Sequence, residues 1–276
     1  MANKHFKDSE RKMGAIESPV DIRDYKFKKE VVLMASNYPV YYECPNFTQI
    51  KDQGSVGSCV AHATASILEY HYPHTKLSTN FIYGIHKKLY GSDGPGMFSR
   101  EAARIAHTYG DPVYTFCPGN NEVPDAYAKA EAAFVDEKAM EDAKQHRIIS
   151  FAKVSSINDI KYALMNYGPV LGAMMWYSGN KVDRATGLLT KEGTPDGGHA
   201  IMIKGWNDRG WICQNSWGSY WGKGGTFVLP WDYQLLEAYS FIPGEPGDDV
   251  IVPDKCAWLC KIINAIINFF RSLFKI

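Results

Sequence analysis

The chain is 276 residues long and 45% hydrophobic, enough to bury a substantial core in one or two domains. Its 30 basic and 30 acidic side chains cancel, which excludes the broad positive face of a nucleic-acid binder. Six cysteines at this length exclude a dense disulfide scaffold, and setting one aside as a free nucleophile leaves an odd number.

Taken from the N-terminus, residues 1–12 are polar and charged, with no apolar stretch before a small-residue cleavage site. That excludes a secretory signal of the usual kind, so the expectation is a cytoplasmic protein, or one exported by a non-classical route. Residues 1–18 read as a flexible polar lead. Residues 19–44, with Pro19-Val-Asp-Ile-Arg-Asp-Tyr25 and Val31-Val-Leu-Met34, read as an extended stretch too apolar for a free tail. Together residues 1–44 form an N-terminal extension with two readings. It is an extra strap packed on the body, or Ile22–Phe27 lies across the active surface and blocks it.

Gln53-Gly-Ser-Val-Gly-Ser-Cys59 sets a thiol after a glycine-punctuated turn and before the apolar helical pattern of Ala61, Ala65, Leu68 and Glu69. A helix N-terminus favours negative charge through its unpaired N–H groups, and a cysteine attacks as thiolate. A second helix is expected after Ser78, an N-cap before Phe81, Ile82, Ile85 and Leu89, and a third from Ser99 to a stop at Gly110. A further helix is expected over Asp125–Gln145, completing a helical half over residues 45–147. From residue 148 one more helix, Ile157–Tyr167, ends at Gly168-Pro169. Short runs then follow at Val170–Trp176, His199–Trp206, Trp211–Asn215 and Thr226–Leu229, which read as antiparallel strands within a second half at residues 148–243.

His199 and Asn215 lie in that second half, in Gly197-Gly-His-Ala200 and Cys213-Gln-Asn-Ser-Trp-Gly218. A cysteine, a distant histidine and then an asparagine is the chain order of Cys-His-Asn acyl transfer. Imidazole carries charge near neutral pH, and an amide oxygen fixes its tautomer and direction. His62, one turn beyond Cys59, is the rival base, but a helical neighbour on the interior side points away from an open cleft. His71 and His74 form a His-x-x-His pair with no further ligand cluster, so they read as surface histidines and no metal is expected.

With those motifs in place the chain resembles the papain family of cysteine proteases over roughly residues 45–243. Its style is that of compact bacterial and viral members that write Lys51-Asp-Gln-Gly-Ser-Val-Gly-Ser-Cys59. The resemblance implies an α+β, two-lobed fold: a helical left lobe carrying Cys59, an antiparallel β-barrel right lobe carrying His199, and the cleft between them. It implies an endopeptidase that forms a thioester acyl-enzyme on peptide or protein substrates with no cofactor. By the same likeness Gln53 donates to the oxyanion, Asn215 orients His199, and Trp217 shields the bond between them. The likeness implies substrate contacts at Gly96, Met97, Ala173, Gly198, Ala200 and Trp217, with the pocket for the side chain two residues before the cut lined by Ala173 and Ala200 and by residues near Gly96 and Met97, small walls that point to a bulky apolar or aromatic side chain. The chain departs from the pattern at Gly198, where many relatives carry Asp, and at Val60, where Trp is usual. Two other functions are weighed: an acyl transferase or amidase with the same triad, and a non-catalytic peptide-binding module.

After a Pro- and Gly-rich linker, residues 244–254, residues 255–276 present Lys261, Asn264, Asn268, Arg271 and Lys275 as a narrow polar stripe on a wide apolar helix. Four basic groups and no acids give this segment a charge of +4. It is expected to lie in a membrane surface or to pack on the enzyme or a second copy. The stripe argues against a membrane span.

Overall fold

A computed structural model describes residues 7–21, 38–45, 48–90, 95–118 and 137–244. Ile22–Phe27, most of the Asp125–Gln145 run, Cys256, Cys260 and the 255–276 helix lie outside these residues.

In chain order the elements are β1 (Ala15–Ile16), β2 (Tyr42–Glu43), α1 (Cys59–His71), α2 (Thr79–Tyr90), β3 (Met97–Phe98), α3 (Ser99–Thr108) and α4 (Glu137–Ala143). They continue with β4 (Ile148–Lys153), α5 (Ile157–Asn166), β5 (Val170–Tyr177), β6 (Lys181–Val182) and β7 (Leu189–Thr190). The last four are β8 (Pro195–Trp206), β9 (Gly210–Gln214), β10 (Thr226–Pro230) and β11 (Leu235–Pro243). The α+β class expected from the sequence is thus the class observed.

Helix α1 is buried along Cys59–Glu69, on every face. A helix enclosed all round needs small side chains to let its neighbours close in, and Ala61, Ala63 and Ala65 supply them on a chain otherwise carried by Ile67 and Leu68. Phe81, Ile82 and Ile85 of α2 and Ala102, Ala103 and Ile105 of α3 complete that core. Each fully buried Leu or Ile contributes about 1.5–3 kcal/mol relative to exposure. Ser78 caps α2 by accepting the Phe81 N–H at 3.1 Å. α5 opens with a reciprocal box between Ser156 and Asp159.

The second half is built on a seven-stranded antiparallel sheet in the order β10-β9-β8-β5-β11-β4, with β2 added to β8. Besides the two-residue β2, two of its strands, β4 and β11, have no counterpart in the sequence reading. They pair with each other through Phe241 opposite Phe151, and β11 also pairs with β5. Period-two alternation puts Leu171, Ala173, Ala200 and Met202 toward α1, while Met174, Trp176 and Ile201 enter the core on the other side of the sheet. The α1 N-terminus and the centre of β8 therefore meet at one seam.

The described part of residues 1–18 is not the flexible lead expected from their polarity. From Arg11 on, the segment is seated: Arg11, Gly14, Ala15 and Ser18 are buried, and β1 pairs in parallel with β3, Ala15 opposite Met97 and Ile16 opposite Phe98. The apolar Met13-Gly-Ala-Ile16, too short to register as a pattern, makes the contact.

Candidate active site

Cys59 is the first residue of α1, following Ser58. Its Sγ accepts the N–H of Ala200, the residue after His199, at 3.4 Å. The β5–β8 register puts Met174 opposite His199 and Ala173 opposite Ala200. The hairpin from β8 to β9 returns the chain so that Asn215, just past β9, faces His199. Asn215 Oδ1 lies 2.8 Å from His199 Nε2. That oxygen also accepts the Ser216 N–H at 2.8 Å, so the amide is oriented from its own backbone and Nε2 is the protonated nitrogen. Trp217 covers the pair, its ring 4.8 Å from the imidazole, and Trp176 and Trp221 pack around it at 4.8 and 5.1 Å.

Gln53 is fully buried and fixed from both ends of its amide. Oε1 accepts the Ser216 hydroxyl at 2.7 Å, and Nε2 donates to the Val56 carbonyl at 2.8 Å. Ser216 thus serves Asn215 and Gln53 at once, a positioning residue that the sequence reading passed over as filler between Asn215 and Trp217. The second Nε2 hydrogen points to the groove. There it donates to the backbone carbonyl of Lys12 at 3.0 Å.

The groove is therefore occupied by the chain's own N-terminal segment. Met97 donates its N–H to the Gly14 carbonyl at 2.8 Å. Farther on, Ser18 donates from its N–H and its hydroxyl to Glu237, at 3.2 and 3.1 Å. At the other end Arg11 donates to Asp52 at 2.5 Å and to the Trp217 carbonyl at 3.0 Å, with its guanidinium over the Trp217 ring. The approach is close enough to require glycine on both sides. A Cβ on Gly14 would sit 2.0 Å from the Gly57 oxygen, and one on Gly198 would sit 2.0 Å from the Ala15 oxygen. This gives a physical reason for glycine at position 198, where the resemblance leads one to expect Asp.

The six residues expected to contact substrate, Gly96, Met97, Ala173, Gly198, Ala200 and Trp217, all border this seam. Gly96 is held by the Tyr83 hydroxyl and by Lys87 Nζ at 2.7 Å from its carbonyl. The rival base His62 is fully buried, with Nδ1 2.9 Å from the Ser58 carbonyl, and burial pushes it down to about 4. His71 is not a surface histidine. It is mostly buried against Tyr70, and burial likewise lowers it to about 4, whereas His74 is exposed. Among the described residues no cluster of three ligating side chains could hold a metal.

Under the strap, burial controls the protonation of the pair. It raises the Cys59 thiol to about 11, against the opposing backbone N–H groups of Ala200, Gly14 and Val60. It lowers His199 to about 4, opposed by Asn215 and assisted by the nearby charge of Arg11. Both groups rest neutral in this state. The thiol is fully buried, and a backbone N–H of the strap, at Gly14, is among the groups against it. Cys44, Cys117 and Cys213 are buried as well, Cys117 in the same core cluster as Cys59 and the other two in the second cluster.

A thiol at a helix start, a sheet presenting an imidazole bound to a carboxamide, and a groove that accepts peptide backbone place the molecule among the cysteine peptidases. The model of the papain family of cysteine proteases matches residues 40–234, and the chain belongs to that family. An uncharacterized peptidase C1-like protein of Acanthamoeba polyphaga mimivirus is 29% identical over 225 residues, spanning 72% of this chain and 71% of the relative. A cysteine protease of Blomia tropicalis is 26% identical over 215 residues, spanning 71% of this chain and 61% of its own length. Xylellain, a cysteine protease from Xylella fastidiosa, superposes with a TM-score of 0.73 at 24% identity, over 86% of this chain and 97% of that one. ProCathepsin B S9 from Trypanosoma congolense gives 0.64 at 18% identity, over 86% and 87%. These two likenesses bear on the fold.

Proposed function

We propose that the chain is a cysteine endopeptidase with Cys59 as nucleophile, His199 as acid and base, Asn215 as the residue that orients the imidazole, and Gln53 as oxyanion donor. We further propose that residues 11–18 hold the enzyme closed. The observation that carries this reading is the 3.0 Å bond from Gln53 Nε2 to the Lys12 carbonyl. The remaining donor of a locked side chain already holds a peptide oxygen, as it would hold a substrate carbonyl that develops negative charge.

With the strap displaced, water and the α1 N-terminus reach the sulfur, and the proton passes from Sγ to His199. Sγ then attacks the peptide carbonyl carbon, and the carbonyl electron pair moves onto oxygen, where Gln53 Nε2 and the Cys59 N–H receive it. On collapse the C–N bond breaks, His199 gives its proton to the departing amine, and a thioester to Cys59 remains. Water, deprotonated by the same imidazole, attacks the thioester; the C–S bond breaks and the carboxylic acid leaves. Asn215 keeps the ring aimed through each transfer. Trp217 keeps competing water from the Asn215–His199 bond.

The test is product analysis of a peptide mixture incubated with the full-length protein, its Gly14→Ala variant and the same variant carrying Cys59→Ser. Free carboxyl and amine ends that appear with the first two and vanish with Cys59→Ser support the reading. Products joined to added amines would instead identify a transferase. Failure of Cys59 to react with a thiol-directed epoxide ahead of the other cysteines, together with no products, would identify a binding module.

A further inference from the structure

The seat that receives Arg11 is built from residues outside the strap. Asp52 pairs with Trp217 in an antiparallel bridge, and the Gly218 N–H donates to the Lys51 carbonyl at 2.9 Å, so two short segments are clamped together by their own backbones. The Asp52 carboxylate is aimed by the Gly54 N–H, which donates to Oδ1 at 2.9 Å. Into this seat Arg11 sends its guanidinium. Nη1 donates to Asp52 Oδ1 at 2.5 Å, and Nη2 donates to the Trp217 carbonyl at 3.0 Å and, at a longer 3.5 Å, to Asp52 Oδ2. Its Cζ stands 5.6 Å from the centroid of the Trp217 ring, and the side chain is 4% exposed.

Each wall of the seat suits a flat cation. The carboxylate takes N–H groups from both arms of the fork, the carbonyl takes another, and the ring face takes the charge. An ammonium, a point charge with no fork and no plane to stack, satisfies fewer of them. None of these wall groups belongs to residues 11–18, so the arrangement outlasts the strap's departure. We propose that the Asp52–Trp217 seat is a binding site for small guanidinium compounds, which favour the open groove by replacing Arg11. This rests on the reading of residues 11–18 as a closing strap. Ligand and Arg11 exclude one another, so the ligand binds only after the arginine has left and draws the equilibrium toward the open state. It competes with a tethered side chain whose local concentration is of order millimolar, so it acts in the millimolar range or above. Its ceiling is the gain given by Arg11→Ala, because the strap's other bonds remain.

The probe is Nα-acetylarginine amide, with Nα-acetyllysine amide as a control of equal charge, both at constant ionic strength. Binding is read by calorimetry on full-length Arg11→Ala, where the seat has lost its own arginine, with Asp52 intact or Asp52→Asn. The arginine derivative should bind at least about tenfold more tightly than the lysine derivative, and Asp52→Asn should weaken it at least about tenfold. Opening is read on the full-length parent by the initial rate on a fluorogenic peptide amide whose leaving group is the reporter alone, and by the rate at which a thiol-directed epoxide labels Cys59. Both rates should rise with the arginine derivative and level off within about tenfold, the ceiling set by Arg11→Ala, while Arg11→Ala itself should not respond. Faster labelling with no hydrolysis of any peptide supports the seat and sinks the peptidase reading. Hydrolysis that ignores the arginine derivative, or rises equally with the lysine derivative or in Arg11→Ala, overturns the proposal and leaves the peptidase reading standing. Absence of binding to Arg11→Ala, or binding that survives Asp52→Asn unchanged, also overturns it.

Discussion

Substituting Gly14 with alanine should switch the full-length enzyme on. The added Cβ would lie 2.0 Å from the Gly57 oxygen, 2.4 Å from its carbonyl carbon and 2.9 Å from its Cα, all backbone atoms at the turn that leads into Cys59. No rotamer change relieves such an overlap, so the strap must lift. Two hydrogen bonds near this point are lost with it, Gly14 carbonyl to Met97 and Lys12 carbonyl to Gln53. At about 1 kcal/mol each they sum to about 2 kcal/mol, or a roughly 30-fold shift toward the open state. Where the open state is the minor one, initial rates on a fluorogenic peptide amide rise by about the same factor. The substitution touches no side chain of the proposed triad. Rates equal to the parent, with thermal unfolding showing an intact fold, would refute the claim that residues 11–18 block the groove.

Arg11→Ala should also activate, by about tenfold, since it removes the bonds to Asp52 and the Trp217 carbonyl together with a charge that disfavours the imidazolium; the pH–rate profile of the variant should extend to higher pH on its His199 limb. Gly198→Ala works from the opposite wall through its overlap with the Ala15 oxygen, and combined with Gly14→Ala it should add far less than the product of the two single effects, because both lift the same segment. Acid should destabilise the fold through His62. Its folded value of about 4 lies below the ordinary 6.5, so the unfolded chain binds more protons between those values, and stability falls as pH drops through that window. At pH 5 the loss is about 2 kcal/mol from this group alone, and denaturant unfolding at pH 7 and pH 5 should show a smaller difference in His62→Asn than in the parent.

Some of this molecule is written locally and some is not. Cys59, with its glycine turn and helix start, is a short-range pattern, and His199 and Asn215 sit in equally compact motifs; each was readable because neighbours in sequence set its geometry. Helices α1, α2, α3 and α5 were readable for the same reason, through caps such as Ser78 and stops such as Gly110. The strap was not readable. Its seat is a three-dimensional fit of Gly14 against Gly57 and of Ala15 against Gly198, positions scattered over 184 residues (Gly14 to Gly198) with no periodicity to announce them. Polarity at residues 1–12 argued for a loose end, and burial of Arg11 by Asp52 and Trp217 overrode it. Strand β11 was missed although Ala238-Tyr-Ser-Phe241 alternates, because Glu237 and Pro243 interrupt the run. Missing the strand meant missing the acid it brings to Ala173.

Under the proposal that residues 11–18 hold the groove closed, their covalent link to the body would set them against substrate at the high local concentration of a tethered ligand, of order millimolar for a short connection. Severing the chain between Ser18 and the body would keep the strap's own contacts available and yet turn closure into an encounter between two separate molecules. Diluted to nanomolar levels, the fragment should drift off and stay off, so one nick acts as a ratchet. Activity after nicking should fall again as the fragment is added back, with a half-maximal dose that reports the strap's own affinity.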